Sequence, residues 1–394
     1  MMGFELNIYS TFLLLPFSQA VLFGILLICK TGDKFKISNL LLGTILLMLS
    51  IKIAYWMLGF AGWYDSHDAY TTFMFYFPFN TICLIGPLIY FYFLSATNQD
   101  FKFEKRHAYH LCLPIIWILV ILSKLSLDYI LYFPFPKAPF TQFGTKGPLA
   151  EIDKSILFTL ISYGSLIYYL LLTFKSYKAY EQYAIQNLSS LESIDFVWLR
   201  NILSALALGL VLMFIYQIVN WVTPISYKTN WYSYLFLGLL VYYLGIKGYM
   251  FQGLNKPALY FTQQIKIDDD QSNEVKVFLD LPNHMNELTQ LLDQQKPYLI
   301  SELTLSQLAS MMKLNSGLLS KVINIGYNLN FNDFINGYRI NEVLSRINDQ
   351  QHKKITLLGI ALDSGFNSKA TFNRAFKKQT GKTPVEYIRS LENT

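Results

Sequence analysis

Charge is what this sequence has least of. Only 15% of its 394 residues are Asp, Glu, Lys or Arg, 53% are hydrophobic, and the mean hydropathy is +0.31. An ordinary soluble domain carries about 25% charged residues, so a wholly soluble chain does not fit. Cysteine is scarce too. Cys29, Cys83 and Cys112 stand singly in apolar stretches, without CxxC or Cys/His spacing, which argues against a disulfide framework or a structural metal site. No HExxH, GxxxxGK[ST] or nucleophile-elbow pattern occurs, so the chain is expected to be no enzyme and to need no cofactor. A cleavable signal peptide is not expected either. Glu5 precedes the first apolar run, Lys30, Lys34 and Lys36 follow it, and no A-x-A site is in reach.

What is abundant is apolar sequence, and it lies before about residue 250. Seven stretches approach the ~20 residues that cross a bilayer as helix: Tyr9–Cys29, Leu40–Phe60, Phe73–Leu94, Tyr109–Leu125, Ile156–Phe174, Ile202–Val219 and Tyr232–Met250. The fourth is the least regular, with Pro114 near its start and Lys124 at its end. Loop charge orients the set. Lys30, Lys34 and Lys36 follow the first span; Lys102, Lys105 and Arg106 the third; Lys175, Lys178 and Arg200 the fifth. The second loop has Asp65 and Asp68 and no basic residue, and the sixth has only Lys228. The fourth is mixed, with Lys137 and Lys146 beside Asp128, Glu151 and Asp153. Positive loops stay inside. The N-terminus is therefore expected outside a bacterial inner membrane, and everything after Met250 in the cytoplasm.

Polar residues inside the expected spans are Gln19, Lys52, Asn80, Gln217 and Asn220, with no Asp or Glu. A lysine deep in a span is a candidate contact for an anionic ligand or lipid headgroup; alternatively it snorkels or meets carbonyls and tyrosines. Gly86-Pro87 is expected to kink the third span. His107 and His110, or His67 between Asp65 and Asp68, have metal-binding chemistry but no adjacent third ligand; an interfacial role is the simpler reading. Trp63, Tyr64, Phe133, Phe135, Trp221, Trp231 and Tyr232 suit an interfacial belt.

After Met250 the character changes. A polar linker over 254–281, with the acidic run Asp268 to Asp270, leads to a domain over 282–394. Met285, Leu288, Leu291 and Leu292 have helical spacing. In LTLSQLASMMKLNSGLLSKVIN, Thr304 with Gln307 makes a capping box, and Leu305, Leu308 and Ala309 form an apolar face. Asn315 can cap a second helix that buries Leu319, Val322 and Ile323. TLLGIALDSGFNSKATFNRAFKKQTGKTP repeats the pattern: Thr356 caps, Leu357, Ile360 and Ala361 face inward, and Gly365 makes the turn. Asn367 or Ser368 caps a helix burying Phe372, Ala375 and Phe376. Its other side carries Lys369, Asn373, Arg374, Lys377 and Lys378. Thr383 to Glu386 looks like a further capping box with Pro384 at N1. Equivalent positions recur at an interval of 52 residues (304 to 356, 309 to 361, 314 to 366). Between the copies NFNDFINGYRINEVLSRI reads as one bridging helix. Two helix-turn-helix units result.

GIALDSGFNSKATFNRAFKKQTGKTPVEYIR closely resembles the second helix-turn-helix of AraC/XylS-type bacterial transcription regulators. LSKVIN and NFNDFINGYRI are similar to that family's pattern as well. The resemblance covers roughly the last quarter of the chain and implies a double helix-turn-helix reader of promoter DNA. Together with the apolar stretches it gives an expected all-α chain, a seven-helix transmembrane domain over 1–253 followed by that reader. Matched by position, Ser316, Ser320 and Lys321 in the first unit and Lys369, Asn373 and Arg374 in the second would face base edges. Lys377, Lys378 and Lys382 would meet phosphates. Gly317 stands where many relatives present a long side chain, so the first unit is expected to read fewer bases. The expected partners are double-stranded promoter DNA, the lipid bilayer, an unidentified small-molecule or membrane signal, and a second copy of the chain in a homodimer. The membrane part would sense a signal, or alternatively serve only as anchor and dimeriser, or be a transporter-like domain fused to its own regulator. The fifth loop, Ser176 to Leu199, has Tyr177, Tyr180, Tyr183 and Leu188 at helical spacing; it would relay a signal or be a solvated extension.

Overall fold

The structure is a computed structural model, and it describes residues 5–30, 36–63, 69–98, 101–132, 146–191, 196–223, 225–250 and 271–392. It is all-helical; among the described residues the only β-type contact is an isolated antiparallel bridge between Leu188 and Thr304. The chain divides into two units, Met1–Tyr177 with Val197–Tyr260, and Lys178–Phe196 with Phe261–Thr394. Lys34, Asp65, His67, Asp68, Phe133, Lys137 and the run Asp268 to Asp270 lie outside the described residues.

The first unit contains α1 (Ile8–Cys29), α2 (Lys36–Phe60), α3 (Ala69–Tyr76), α4 (Ile82–Thr97), α5 (Cys112–Tyr132), most of α6 (Ile156–Asn187), α7 (Phe196–Val222) and α8 (Tyr227–Met250). Asn7 opens α1, its side-chain oxygen accepting the amides of Tyr9 and Ser10 at 3.0 Å. Helices α1 and α2 touch through backbone: a Cβ on Gly43 would lie 2.7 Å from the Gly24 carbonyl oxygen, the small-residue contact typical of apolar helix pairs. Nearly every residue of α4 is buried. The outward faces are apolar, as at Leu15 and Leu22 of α1, Ile116, Leu119 and Leu122 of α5, and Leu171 of α6. A surface of that kind suits hydrocarbon rather than water. Among the described residues five helices are long and apolar enough to cross a membrane: Ile8–Cys29, Ile37–Phe60, His107–Leu131, Ile156–Asn187 and Leu199–Val222.

Two expected spans are corrected. The third is not one helix: α3 ends at Tyr76, residues 77–81 are non-helical around Pro78, and α4 resumes for 16 residues with Pro87 inside it. The fourth runs past Leu125 to Tyr132, which puts Lys124 and Asp128 inside a helix. Acidic residues are thus not absent from the apolar helices. Lys124 Nζ pairs with Asp153 at 2.8 Å and donates to the carbonyls of Phe75 and Ala150 at 3.2 Å. Asp128 accepts the Tyr76 hydroxyl at 2.7 Å and the Leu149 amide at 3.1 Å. Both side chains are buried, and each charge is matched by an ion pair or by hydrogen bonds, as burial demands.

The second unit contains α9 (Gln271–Gln295), α10 (Leu305–Met311), α11 (Ser316–Gly326), α12 (Phe331–Asn348), α13 (Leu357–Asp363), α14 (Lys369–Thr380) and α15 (Pro384–Glu392). Helix α9 begins inside the stretch expected to be linker, at Gln271. Helix α12 serves two cores. Phe331, Phe334 and Ile335 at its N-terminal half pack with Leu305, Leu308, Leu319 and Val322. Ile340, Val343 and Ile347 at its C-terminal half pack with Ile360, Phe366, Phe372 and Phe376.

Candidate nucleic-acid interface

The two helix-turn-helix units share their first cap and their turn. Thr304 accepts the Gln307 amide at 3.2 Å and Thr356 the Gly359 amide at 3.1 Å. In the turns Leu314 N donates to Ala309 O at 2.9 Å and Phe366 N to Ala361 O at 3.1 Å. Lys313 and Gly365, again 52 residues apart, both take positive φ, 56° and 92°. The copies part at the next cap. Asn315 caps α11, accepting the Leu318 amide at 2.7 Å, whereas Ser368 caps α14. Asn367, the counterpart of Asn315, instead donates to Ser190 Oγ at 3.1 Å.

Helix α14 turns Phe372 and Phe376 into the core and leaves Lys369, Arg374, Lys377 and Lys378 exposed, with Asn373 half-buried; Lys382 just beyond it is exposed too. Arg374 is exposed, and its Nη2 donates to Thr371 Oγ1 at 3.5 Å. Lys378 Nζ is held by Asp333 at 2.8 Å, so a phosphate has to compete with that carboxylate. On α11, Ser316, Ser320 and Lys321 are half-buried and Gly317 is exposed. Ser320 Oγ accepts from Asn324 at 3.3 Å. The face is shallow where α14 is studded with long cations. Each helix can offer an N-terminal half to a major groove, and the 18-residue α12, roughly 27 Å long, runs through both lobes.

A residue missed by the sequence reading holds the lobes together. Arg339 of α12 is fully buried, between the residues serving the first core and those serving the second. Its Nε donates to Tyr298 O at 2.8 Å and its Nη2 to Ile300 O at 2.8 Å. Nη1 also donates to Asn336 Oδ1 and Nη2 to Ser301 O, each at 3.3 Å. Two bonds reach back 150 residues: Nη1 to Ser189 O at 3.2 Å and Nη2 to Ser189 Oγ at 3.0 Å. Around it Ser189 N donates to Leu303 O at 3.1 Å, and Asn332 Nδ2 donates to the carbonyls of Leu188 and Ser189 at 3.2 and 3.0 Å. Burial lowers the guanidinium to about 10, and among the described residues no carboxylate pairs with it; carbonyl dipoles carry the compensation. The segment that follows α6 is therefore part of the DNA-binding unit. Helix α6 itself continues to Asn187, with Tyr177, Tyr180 and Ala184 buried and Tyr183 half-buried. One signal pointed to Arg339: it falls four residues after Ile335 and four before Val343, on the apolar face of α12.

Lys52 lies in α2 and lines a cavity of the first unit. His107 Nδ1 accepts the Glu104 amide and His110 Nδ1 meets the Tyr169 hydroxyl, each at 3.0 Å.

Residues 308–390 match the family model described as "Helix-turn-helix domain". Uncharacterized HTH-type transcriptional regulators of Staphylococcus aureus, from strains COL and MSSA476, are each 30% identical over 131 residues. Those residues are 33% of this chain and 15% of each relative, so the chain spans only a small part of their length. No solved structure matches the chain. The C-terminal unit thus contains an AraC-type helix-turn-helix domain similar to those of transcription regulators, and it is the part of the chain that suits binding to double-stranded DNA.

Proposed function

We propose that this protein is a one-component transcription regulator of the bacterial inner membrane. Its first unit crosses the bilayer with the N-terminus outside. Its C-terminal unit reads promoter DNA from the cytoplasm, and the reading is controlled by a signal taken up in the membrane or beyond it. Seven crossings remain the best reading: α3 and α4 together make the third, and α8 with its tyrosines and Lys228 the last. Base edges are met by Lys369, Asn373 and Arg374 of α14 and by Ser316, Ser320 and Lys321 of α11. Phosphates are met by Lys377, Lys378 and Lys382.

One observation carries the control. Ser189 is fastened to Arg339 where the two helix-turn-helix cores meet, and Ser189 follows directly on a 32-residue helix that starts in the apolar unit. A mere anchor would not need that attachment. Three measurements test the reading. Footprinting with full-length protein in nanodiscs should show two protected major-groove segments about one helical turn apart. A cytoplasm-only reporter fused after Thr394 should be active; activity only of a periplasmic reporter would sink the topology. Two glycines inserted between Tyr177 and Lys178 should leave DNA affinity in vitro unchanged while altering promoter output in cells. Unaltered output would leave the membrane unit an anchor.

A further inference from the structure

The first unit holds a cavity of about 290 Å³, at the small end of the range that binds ligands, roughly 300–1,000 Å³. It is walled by α2, α3, α6, α7, α8, the non-helical residues 77–80 and the turn carrying Asp153. Its charged lining residues are Lys52 and Asp153. They are not partners. Asp153 is engaged by Lys124 at 2.8 Å, and among the described residues Lys52 has no ion pair and no hydrogen bond. Gln217 likewise makes no side-chain hydrogen bond among the described residues. Asn220 commits its oxygen to the Ile225 amide at 3.0 Å, which leaves its two N–H donors for the cavity. The cavity therefore presents donors and one uncompensated positive charge. The walls are rings: Trp56 lies 4.9 Å from Tyr234 and Tyr55 lies 5.2 Å from Phe79, centroid to centroid.

We propose that this cavity binds a small organic anion, a carboxylate or phosphate head on an aromatic or short aliphatic body. Lys52 takes the charge, Gln217 and Asn220 donate to the anionic oxygens, and the rings enclose the body. An ammonium kept from water without a counter-charge is costly, and an entering anion removes that cost. The volume excludes a full acyl chain, so a lipid would insert only its head. Thr159 and Tyr163 of α6 also line the cavity. A ligand seated there touches the helix that ends at the Ser189–Arg339 attachment. That regulatory sense rests on the function proposed above; binding itself does not.

The test is calorimetry on the full-length protein in phosphatidylcholine nanodiscs, titrated with phenylacetate and hexanoate, with phenethylamine as the cationic control. A second arm replaces part of the phosphatidylcholine with phosphatidylglycerol. At least one carboxylate should bind and phenethylamine should not; competition by phosphatidylglycerol would identify the lipid head as the natural source of the same anion. Lys52→Gln should weaken carboxylate binding by about tenfold or more, as loss of a charge-assisted hydrogen bond implies. Lys52→Arg should largely keep it, and Gln217→Leu should weaken it without removing a charge. Arg374→Ala, which touches only DNA reading, should bind the carboxylate as the wild type does, so failure of the regulator reading leaves this result standing. Binding of neither carboxylate nor anionic lipid at millimolar concentration overturns the proposal. So does undiminished binding by a folded Lys52→Gln protein, or equal binding of phenethylamine.

Discussion

At the scale of single residues the reading helix makes the sharpest statements. Arg374 is exposed and weakly held, as the guanine contact proposed for it requires. Arg374→Ala should cost about 1–3 kcal/mol of specific binding and relax preference at one base position. Unchanged discrimination between cognate and scrambled sites in a gel-shift series would reject that role. Lys378 behaves differently because Asp333 already holds it. Exposed pairs of this kind are worth roughly 0–1 kcal/mol, so Asp333→Asn should tighten binding to every sequence by a few-fold and steepen its salt dependence. A flat salt slope would show that Lys378 does not reach phosphate. Glu342 gives a pH signature. Burial pushes its carboxyl up, but hydrogen bonds from Lys296 and Arg346, at 2.9 and 3.0 Å, outweigh that and hold it below its ordinary value near 4.5. A carboxyl depressed in the folded state stabilises that state above its unfolded value, and the benefit is lost as pH falls through the folded one. Glu342→Gln should therefore speed hydrogen exchange in α12 at about pH 7 and matter progressively less as the solution is acidified. An effect that did not change with pH would assign Glu342 a packing role.

At the scale of elements, the helix-turn-helix units were legible because their determinants are local. Thr304 with Gln307, Thr356, Pro384 and the inward spacing of Phe372 and Phe376 all act within one or two turns. The bridging helix was legible for the same reason. What the sequence concealed was long in range or short in signal. Nothing near Ser189 announces a partner 150 residues away, and a single arginine on an apolar face carries no periodicity of its own. Lys124 and Asp128 were hidden by the assumption that charge ends a span; each instead finds a partner, Asp153 or Tyr76, on another segment. Gly365 joins the local and the distant. Its φ of 92° favours glycine, and an added Cβ would collide with the Tyr298 carbonyl that also accepts Arg339 Nε. Gly365→Ala should lower the melting temperature of the C-terminal unit through a loss of at least about 1 kcal/mol, and more than the same change at the exposed Gly317. Equal effects would mean that the Arg339 site tolerates displacement.

At the scale of the whole molecule, composition announced the apolar half and the motifs announced the helix-turn-helix half. The attachment of Ser189 to Arg339 within the second unit lay in neither pattern, because it depends on which polar groups are left over after that unit's local elements form. Arg339 retains its charge without a carboxylate, so the attachment should be insensitive to salt over a range that weakens DNA binding strongly. Hydrogen exchange at Ser189, followed across that range, would show the difference. Protection that fell in step with DNA affinity would argue against a buried, dipole-compensated contact.

The chain enters the C-terminal unit twice, once through residues 178–196 and again on the approach to α9. A protease that cut only between α8 and α9 would therefore not liberate a diffusible DNA-binding fragment. The severed piece would stay seated on the residues just after α6, Leu188 to Ser190, and both halves would sediment together. On the function proposed above, the chain would be built against a cleave-and-release strategy, and would act on DNA while moored.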